Sequence, residues 1–417
     1  MHMDSSATSR TKLCYICEAT AGGVRKHLRE LIRVFARPEE GFEVHALLGD
    51  RGEPGLAQEM EGFRRAGVRV EILTELQRPL RPAQDWRAYG MLKERLGALK
   101  PGLVHTHSSK GGFLGRMAAH AAGVPWIIHT PHVFPFQWAA GLKRSFYLAL
   151  ERHAARRCHA IVCVGPGQRE EGLRLGLAPE EKFILIPNGV ALPEQPAPEA
   201  VRRLRSELHV PEEAEVVGMI ARLAPQKGVG AFVDAAARVV RARPKAVFVL
   251  VGGGPLEHET RARAAAAGLD RDHMKILGHR EDAERLYPAF DALVLSSLYE
   301  GLPYVLLEAM ACGVPVVATD VAGSRDVIAD EASGLLARSG DAGDLARNIL
   351  RILDEPGLRD RLKQGARERV RENFSFERFV EGHRRLYRGE AGNAQPPNTT
   401  TQDSPRRHGG TENYFLL

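Results

Sequence analysis

Short runs of apolar residues alternate with longer amphipathic stretches along almost the whole chain. An apolar run of roughly four to eight residues bounded by turn residues is typical of a buried strand, whereas apolar residues spaced three or four positions apart are typical of a helix. The alternation predicts β-α-β units, and therefore parallel sheets covered by helices on both faces. We expect strands at Lys12–Cys17, Glu43–Leu48, Val68–Leu73, Leu103–Thr106, Trp126–Thr130, Ala160–Val164, Phe183–Ile186, Glu215–Ile220, Ala246–Val251, Met274–Leu277, Ala292–Leu295 and Val314–Ala318.

The alternation pauses in the middle of the chain. The sequence Pro187-Asn188-Gly189 predicts a turn, and residues 190–200 (VALPEQPAPEA) have the proline- and alanine-rich composition of a linker. We therefore expect two doubly wound, Rossmann-like α/β domains, with the functional site where the carboxyl ends of the two sheets face each other. The expected order is an N-terminal extension at 1–11, a first domain at 12–189, the linker at 190–200 and a second domain at 201–374.

The last part of the chain changes character. Apolar residues at helical spacing predict helices at Ala342–Leu353, Leu358–Glu372 and Phe376–Tyr387. Residues 389–417 are rich in small and polar residues and lack this periodicity, so we predict that they form a disordered tail.

Composition narrows the class of protein. Of the 417 residues, 44% are hydrophobic and 26% are charged, as in an ordinary globular protein. No run approaches the roughly 18 apolar residues that a membrane-spanning helix needs, and the first residues, MHMDSSATSRTK, lack the apolar core of a secretory signal. We expect a cytoplasmic protein.

Basic residues are concentrated in the first half. Residues 1–190 hold 27 Lys and Arg against 19 Asp and Glu, whereas the rest of the chain is close to neutral. A basic half can face nucleic acid, an anionic membrane surface or a phosphorylated substrate. The sequence lacks zinc-finger spacings, a basic zipper and an aromatic RNA-binding motif, so we expect no nucleic-acid partner.

Cysteine usage gives no sign of a disulfide framework. The chain has 5 cysteines, an odd number without a secretory signal. Cys14 and Cys17 form a C-x-x-C pair, but a second pair or a suitably spaced histidine pair is missing from the sequence. We interpret both as buried thiols.

The most informative segment is Ser296–Ala311, SSLYEGLPYVLLEAMA. Glu300 follows a predicted strand, Gly301 allows a tight turn, Pro303 suits the first turn of a helix, and Glu308 lies further along that helix. A helix N-terminus offers free N–H groups to an anion, and carboxylates accept hydrogen bonds from hydroxyls. A nucleotide sugar has both kinds of partner, an anionic diphosphate for the helix N-terminus and hydroxyl groups for the carboxylates. The alternative interpretation is that Glu300 caps the turn and Glu308 is solvated.

Two other loops after predicted strands carry suitable groups. Arg222 and Lys227, in GMIARLAPQKG, can neutralise a diphosphate or be isolated surface charges. Gly22 and Gly23 would let backbone N–H groups approach a phosphate or sugar. The complete G-x-G-x-x-G and G-x-x-x-x-G-K-S/T patterns are missing, which argues against a dinucleotide-dependent oxidoreductase.

Histidines end two predicted strands of the basic half. They are His105 and His107, then His129 and His132. Their spacing suggests a metal site, but the sequence does not supply a complete ligand set with its supporting groups, so we expect no metal. A histidine that faces the cleft could instead bond a sugar hydroxyl. The D-x-D triplet at 270–272, a pattern of some metal-dependent sugar transferases, is interpreted as a solvated turn.

Residues 133–157, VFPFQWAAGLKRSFYLALERHAARR, interleave aromatic and basic side chains. This pattern fits a surface that meets a lipid-linked substrate at a membrane. It equally fits a cleft loop followed by an ordinary amphipathic helix.

Together these segments resemble glycosyltransferase family 4, the retaining nucleotide-sugar transferases of GT-B fold. The matching patterns are GGV after the first strand, T-x-H at Thr130–His132, IPNGV at the domain junction, R-L-x-P-Q-K-G at Arg222–Gly228 and E-G-L-P-x-x-x-x-E at Glu300–Glu308. The resemblance spans about residues 12–388. It implies two Rossmann-like domains facing across a cleft, and a last helix, at 375–388, that crosses back to the first domain.

The resemblance also implies roles for the matching residues. On the donor side, the diphosphate would be held by Arg222 and Lys227, the ribose by Glu308, and the base by backbone near Gly278–Arg280. Glu300 would contact the transferred sugar, His132 would lie near its reacting carbon, and His129 is the rival of His132. The remaining donor-binding positions would be Gly23, Gly301, Leu302, Pro303 and Tyr304, with Gly22, His107 and Lys110 on the acceptor side.

The resemblance implies front-face transfer with retention, in which the leaving phosphate takes the acceptor proton and no divalent metal or other cofactor is needed. HTHSSKGGFLGR and TPHVFPFQW are similar to the subset that builds surface and exported polysaccharides on lipid diphosphate carriers. The sequence departs from the family pattern at Val133, because glycine often occupies this position after the histidine. We expect transfer of a hexose from a UDP-sugar to a lipid-linked or saccharide acceptor, with peripheral contact of the basic domain with the membrane.

Several alternatives remain open at this point. One is a GDP-mannose-type donor, and another is a non-catalytic protein that binds sugar nucleotides. A sugar-nucleotide epimerase or a phosphorylase would share the two-domain architecture, and product analysis separates these enzymes from a transferase.

Overall fold

The structure, a computed structural model, describes residues 10–50 and 52–390. Its strands form a seven-stranded and a six-stranded sheet. The first sheet contains β1 (Thr11–Cys17), β2 (Phe42–Leu48), β3 (Arg69–Ile72), β4 (Leu103–His107), β5 (Trp126–Thr130), β6 (Ala160–Cys163) and β7 (Phe183–Leu185). The second contains β8 (Glu215–Ile220), β9 (Ala246–Val251), β10 (Met274–Gly278), β11 (Ala292–Leu295), β12 (Val316–Thr319) and β13 (Leu335–Ala337).

Helices connect these strands and cover both sheets. The helices between the strands of the first sheet are α1 (Gly22–Phe35), α2 (Leu56–Arg65), α3 (Pro82–Leu99), α4 (Lys110–Ala121), α5 (Gly141–Ala155) and α6 (Pro166–Arg174). They are followed by α7 (Pro198–Glu207), α8 (Val229–Ala242), α9 (Glu257–Ala266), α10 (Tyr304–Ala311), α11 (Ala322–Val327), α12 (Ala342–Asp354), α13 (Pro356–Asn373) and α14 (Phe376–Tyr387).

Both sheets are parallel and doubly wound, which confirms the predicted fold class. The strand orders are β3-β2-β1-β4-β5-β6-β7 and β10-β9-β8-β11-β12-β13. The winding direction reverses between β1 and β4 and between β8 and β11, and ligands of such sheets bind at this reversal, beyond the carboxyl ends of the strands. Each predicted strand is present. The short β13 is missing from the prediction.

Alternating side chains of β1 show how the first domain is built. Leu13 and Tyr15 point into a core that they share with α1, whereas Cys14 and Ile16 point into a core shared with α3, α4 and α5. The second sheet is likewise covered on both faces. Burial on both faces explains why these strands are continuously apolar.

The last helix belongs to the first domain's core, as the resemblance implied. Phe379 and Tyr387 of α14 pack with residues of β1 and α1, and the Tyr387 hydroxyl contacts His105 Nδ1 at 2.7 Å. Val190 pairs with the chain just before α14, since its N–H donates to the Phe374 carbonyl at 2.9 Å and its carbonyl accepts from the Phe376 N–H at 3.1 Å. These contacts tie the helix that follows the second domain back to the first.

The stretch between the domains differs from the predicted linker at its end. Residues 186–197 contain no helix or strand apart from the bridge at Val190, but Pro198 already begins α7. Proline suits this first helical position, since the N–H that it lacks would have no partner there.

Three further observations complete the fold. Cys14, Cys17, Cys158 and Cys163 are buried free thiols, as predicted for the first two. Among the described residues, no helix is both long and apolar enough to cross a bilayer. The tail at 391–417 and residues 1–9 of the N-terminal extension lie outside the described residues.

Candidate active site

The candidate residues lie in loops that follow strands of both sheets. In the first domain Gly22 follows β1, His107 ends β4, and His132 follows β5. In the second domain, residues 222–227 follow β8 and residues 296–303 follow β11. The two sets of loops meet at the carboxyl ends of both sheets, where doubly wound folds bind ligands.

Glu300 is held by neighbours within its own domain. Lys227 Nζ donates a hydrogen bond to its Oε1 at 2.5 Å, and the Ser297 hydroxyl donates to the same oxygen at 2.6 Å. The Glu300 side chain is 8% exposed. The structure therefore brings together the carboxylate expected to contact the sugar and a lysine expected to hold the diphosphate.

Arg222 does not join this pair. Its side chain is exposed, and it forms no ion pair within residues 10–50 and 52–390. A guanidinium at the end of β8 without a carboxylate partner is available to an incoming anion.

Glu308 lies in the second turn of α10 and contacts the other domain. Lys26 of α1 and the Tyr287 hydroxyl both donate to its carboxylate, and Lys26 Nζ also lies 2.9 Å from Glu284. Burial raises the pKa of the Glu308 carboxyl, although Lys26 acts in the opposite direction. The carboxylate expected to bind the ribose thus pairs with a cation across the cleft.

Gly301 is packed too tightly for any side chain. A Cβ at this position would lie 2.0 Å from the carbonyl oxygen of His132, and a Cβ at Gly323 would lie 2.2 Å from the Gly301 carbonyl. His132 itself has a φ of 59°, in the left-handed region. The loop that carries Glu300 is therefore in direct backbone contact with the loop that carries His132.

Two more contacts join the domains at the start of α10. Gly23 packs on the Tyr304 ring, since a Cβ there would lie 3.4 Å from it. Asn188 donates from its amide to the Leu302 carbonyl at 2.7 Å. Gly22 has a φ of +56° and borders open space. The structure places Pro303 at the N-cap, so α10 begins one residue later than the sequence suggested.

The structure separates His132 from its rival. His129 is enclosed in the first domain, where its Nδ1 lies 3.0 Å from the Thr106 hydroxyl and its ring fills the space beside Gly112. His132 touches the Glu300 loop instead. Its Nε2 lies 3.3 Å from His107 Nδ1, and burial lowers the pKa of both imidazoles well below the usual range.

Lys110 is engaged away from these groups. Its ammonium pairs with Asp85 at 2.5 Å and donates to the Pro79 carbonyl, and its side chain is 7% exposed. The N–H groups of Lys110 and Gly111, at the start of α4, donate to the carboxylate of Glu18. Glu18 thus fills the anion position that this helix N-terminus offers.

Two remaining motifs lie outside this contact network. The Asp270 carboxylate accepts hydrogen bonds from the N–H groups of Asp272 and His273, and its side chain is exposed, as the solvated-turn interpretation requires. Gly278 ends β10 at the carboxyl edge of the second sheet, and its carbonyl accepts from the Gly252 N–H at 2.8 Å.

Sequence reasoning missed Lys26, His27, Asn188 and Tyr287. The first two lie in the segment RKHL, which belongs to none of the motifs, and Asn188 was predicted only as part of a turn and of the IPNGV pattern. In the structure, His27 Nδ1 lies 2.9 Å from Asn188 Oδ1 and 3.5 Å from the Tyr304 hydroxyl. Their importance comes from contacts between distant segments, which spacing along the chain does not reveal.

Comparisons with known proteins cover both domains. A family model described as glycosyl transferase 4-like domain matches residues 22–189, and a model described as glycosyl transferases group 1 matches residues 201–369. UDP-Gal:α-D-GlcNAc-diphosphoundecaprenol α-1,3-galactosyltransferase of Escherichia coli is 29% identical over 358 residues, covering 84% of this chain and 90% of that protein. D-inositol 3-phosphate glycosyltransferase of Salinispora arenicola is 29% identical over 406 residues, and the match covers 91% of this chain and 90% of that protein.

Solved structures show the same fold. A crystal structure of Anabaena HepE in complex with UDP and glucose has a TM-score of 0.76 at 19% identity, and the match covers 91% of this chain and 99% of that one. The crystal structure of WaaG, a glycosyltransferase involved in lipopolysaccharide biosynthesis, has a TM-score of 0.70 at 18% identity. The match covers 90% of this chain and 98% of that one.

Proposed function

The chain belongs to the GT-B glycosyltransferases that combine a 4-like first domain with a group 1 second domain, and from this premise we propose that it transfers a hexose from a UDP-sugar to a lipid-diphosphate-linked saccharide, with retention of configuration. The observation that carries the proposal is the arrangement of Glu300 and Glu308. They flank the start of α10, and each is paired with a lysine at the junction of the two sheets.

The donor would lie along the loop and helix that hold these carboxylates. Its ribose hydroxyls would replace Lys26 at Glu308, while Lys227 and Arg222 would meet the diphosphate. The choice of UDP over GDP is supported by the Escherichia coli relative, named for UDP-Gal, and by HepE, which binds UDP and glucose.

The chemical step follows from the position of the charges. As the bond between sugar and diphosphate breaks, negative charge develops on the leaving phosphate. Lys227, Arg222 and the N-terminus of α10 would stabilise that charge. The leaving phosphate would take the proton of the acceptor hydroxyl, which attacks from the same face, and Glu300 and His132 would contact the sugar. Closure of the domains would exclude water from the reaction.

The acceptor proposal is supported by the name of the Escherichia coli relative, whose acceptor is linked to diphosphoundecaprenol. Exposed apolar residues of the first domain are consistent with such an acceptor. They are Leu80 and Trp86 around the start of α3 and Leu142 and Phe146 at the start of α5. Transfer would then take place at the cytoplasmic face of a membrane, in polysaccharide synthesis.

Thermal unfolding with nucleotides tests the donor site. UDP at a hundred times its dissociation constant adds about 2.7 kcal/mol, which corresponds to a rise of roughly 5–10 °C in the Tm of a domain of about 150–250 residues. We expect this rise with UDP and a much smaller one with GDP or ADP. Glu308→Gln should abolish it, whereas Glu284→Gln, which alters an exposed partner of Lys26, should retain it. A rise with GDP alone, or one that persists in Glu308→Gln, would refute the assignment.

A further inference from the structure

Three histidines of the first domain converge at the junction of the domains. His27 comes from α1, His107 from the end of β4 and His132 from the loop after β5. One nitrogen of each lies within 4.8 Å of the others, and His107 Nδ1 and His132 Nε2 are 3.3 Å apart. His27 and His107 are completely buried, and His132 is 8% exposed.

The hydrogen bonds around His27 determine where its proton lies. The Asn188 amide donates to the Leu302 carbonyl, so the oxygen of Asn188 faces His27 and must accept from Nδ1–H. Nε2 of His27 is then an unprotonated acceptor, and it is buried without a hydrogen-bond partner. A buried lone pair without a partner is uncommon in proteins and calls for an occupant.

The other two histidines share one proton between facing nitrogens. Only one proton fits between His107 Nδ1 and His132 Nε2, so one of these nitrogens accepts from the other. For one cation to bind both nitrogens, this proton must move to the other nitrogen of the ring that carries it. Burial lowers the pKa of all three imidazoles below the usual range of histidine. A metal ion binds such a ring through its unprotonated nitrogen.

We propose that His27, His107 and His132 form a binding site for one divalent transition-metal cation of the zinc class. Imidazole nitrogens suit Zn²⁺, which takes them at about 2.0–2.1 Å in tetrahedral geometry, so neighbouring ligand atoms lie roughly 3.4 Å apart. The nitrogens of His107 and His132 already have this spacing. The three ring centroids are separated by 4.7, 5.5 and 5.5 Å, as rings around one small central ion require.

Supporting contacts keep the three rings in place. Asn188 fixes the tautomer of His27 in the way that outer groups orient metal-binding histidines. The left-handed backbone of His132 and its contact with Gly301 hold the loop after β5. Three protein ligands leave a fourth position for water or hydroxide.

The expected consequence for activity rests on the proposed function. A cation bound to His132 Nε2 would remove this imidazole from contact with the transferred sugar. Zinc is thus an inhibitor of transfer, and a chelator restores the activity.

Isothermal titration of the metal-stripped, tag-free protein with ZnCl₂ tests the site itself. We expect one zinc per chain, and we expect His27→Gln and His107→Gln to weaken its binding by more than about a hundredfold. His383→Gln is the matched control, because His383 is buried beside His27 but does not belong to the three. If a glutamine variant misfolds by circular dichroism, His132→Asn replaces it, since asparagine tolerates the left-handed backbone.

Equal zinc affinity in all these proteins, or none in the wild type, would overturn the proposal. The visible spectrum of Co²⁺ in place of Zn²⁺ gives a second readout that does not depend on activity. Transfer assays distinguish the metal site from the proposed contact between His132 and the transferred sugar. Zinc binding at the three histidines without loss of transfer would leave the metal site intact and contradict the proposed contact between His132 and the sugar.

Discussion

At the scale of residues, the two carboxylates of the site pair with lysines of different origin. Lys227 reaches Glu300 within the second domain, whereas Lys26 reaches Glu308 from the first. The motifs located Glu300, Glu308 and Lys227, because these residues belong to short continuous patterns that surround a helix N-terminus. Lys26 could not be assigned in this way, since its role depends on the approach of two domains.

Replacement of Lys227 by methionine tests the diphosphate contact. Hydrogen bonds to charged groups contribute about 1.5–3 kcal/mol, so we expect Lys227→Met to weaken UDP binding by roughly 10–100-fold. Uridine lacks the diphosphate, and its affinity should change much less. Titration calorimetry with both ligands measures the difference. Lys245→Met is the control, because Lys245 is exposed and precedes β9 at the opposite edge of the sheet. Equal losses for UDP and uridine would contradict this role.

At the scale of elements, backbone packing positions the site as much as side chains do. The periodic pattern predicted the long strands and helices well because burial on both faces demands continuous apolar runs. It missed β13, which has only three residues. It also could not show that Gly301 packs on the His132 carbonyl, because such a contact joins segments of different domains.

Alanine at position 301 tests this backbone contact. The added Cβ would force the Glu300 loop away from His132, and displacements of about 1 Å can lower turnover by roughly a hundredfold. We expect Gly301→Ala to lose most of its activity and to unfold a few degrees lower. Gly62→Ala, in α2 with open space around it, should unfold at the same or a higher temperature with unchanged activity. Full activity in Gly301→Ala would show that the contact is dispensable.

At the scale of the whole molecule, the fold turns exposed apolar and basic residues at the starts of two helices toward the same side. The helices α3, α4 and α5 begin at the carboxyl edge of the first sheet and share one core, so their first turns lie on the same side. Leu80, Trp86, Leu142 and Phe146 are exposed there, near Arg81 and Lys143. The sequence indicated the second of these segments, residues 133–157, but not the first, which α3 contributes.

Vesicle sedimentation tests this surface. We expect binding to vesicles that contain anionic lipid, weakened at high salt, because each basic residue near such a surface contributes about 1 kcal/mol. Combined Arg81→Gln and Lys143→Gln substitutions should lower the partition coefficient by roughly tenfold or more. Arg65→Gln, on the exposed side of α2, serves as the control. Equal binding of all variants would exclude this surface as the contact.

The configuration of the product tests the central claim most directly. The protein is incubated with UDP-galactose or UDP-glucose and a short-chain prenyl diphosphate that carries N-acetylglucosamine, and the new glycosidic bond is assigned by proton NMR. Because these donors are α-linked, retention predicts an α-linked disaccharide on the lipid diphosphate. A β-linked product, or transfer from GDP-mannose but from neither UDP-sugar, would contradict the account.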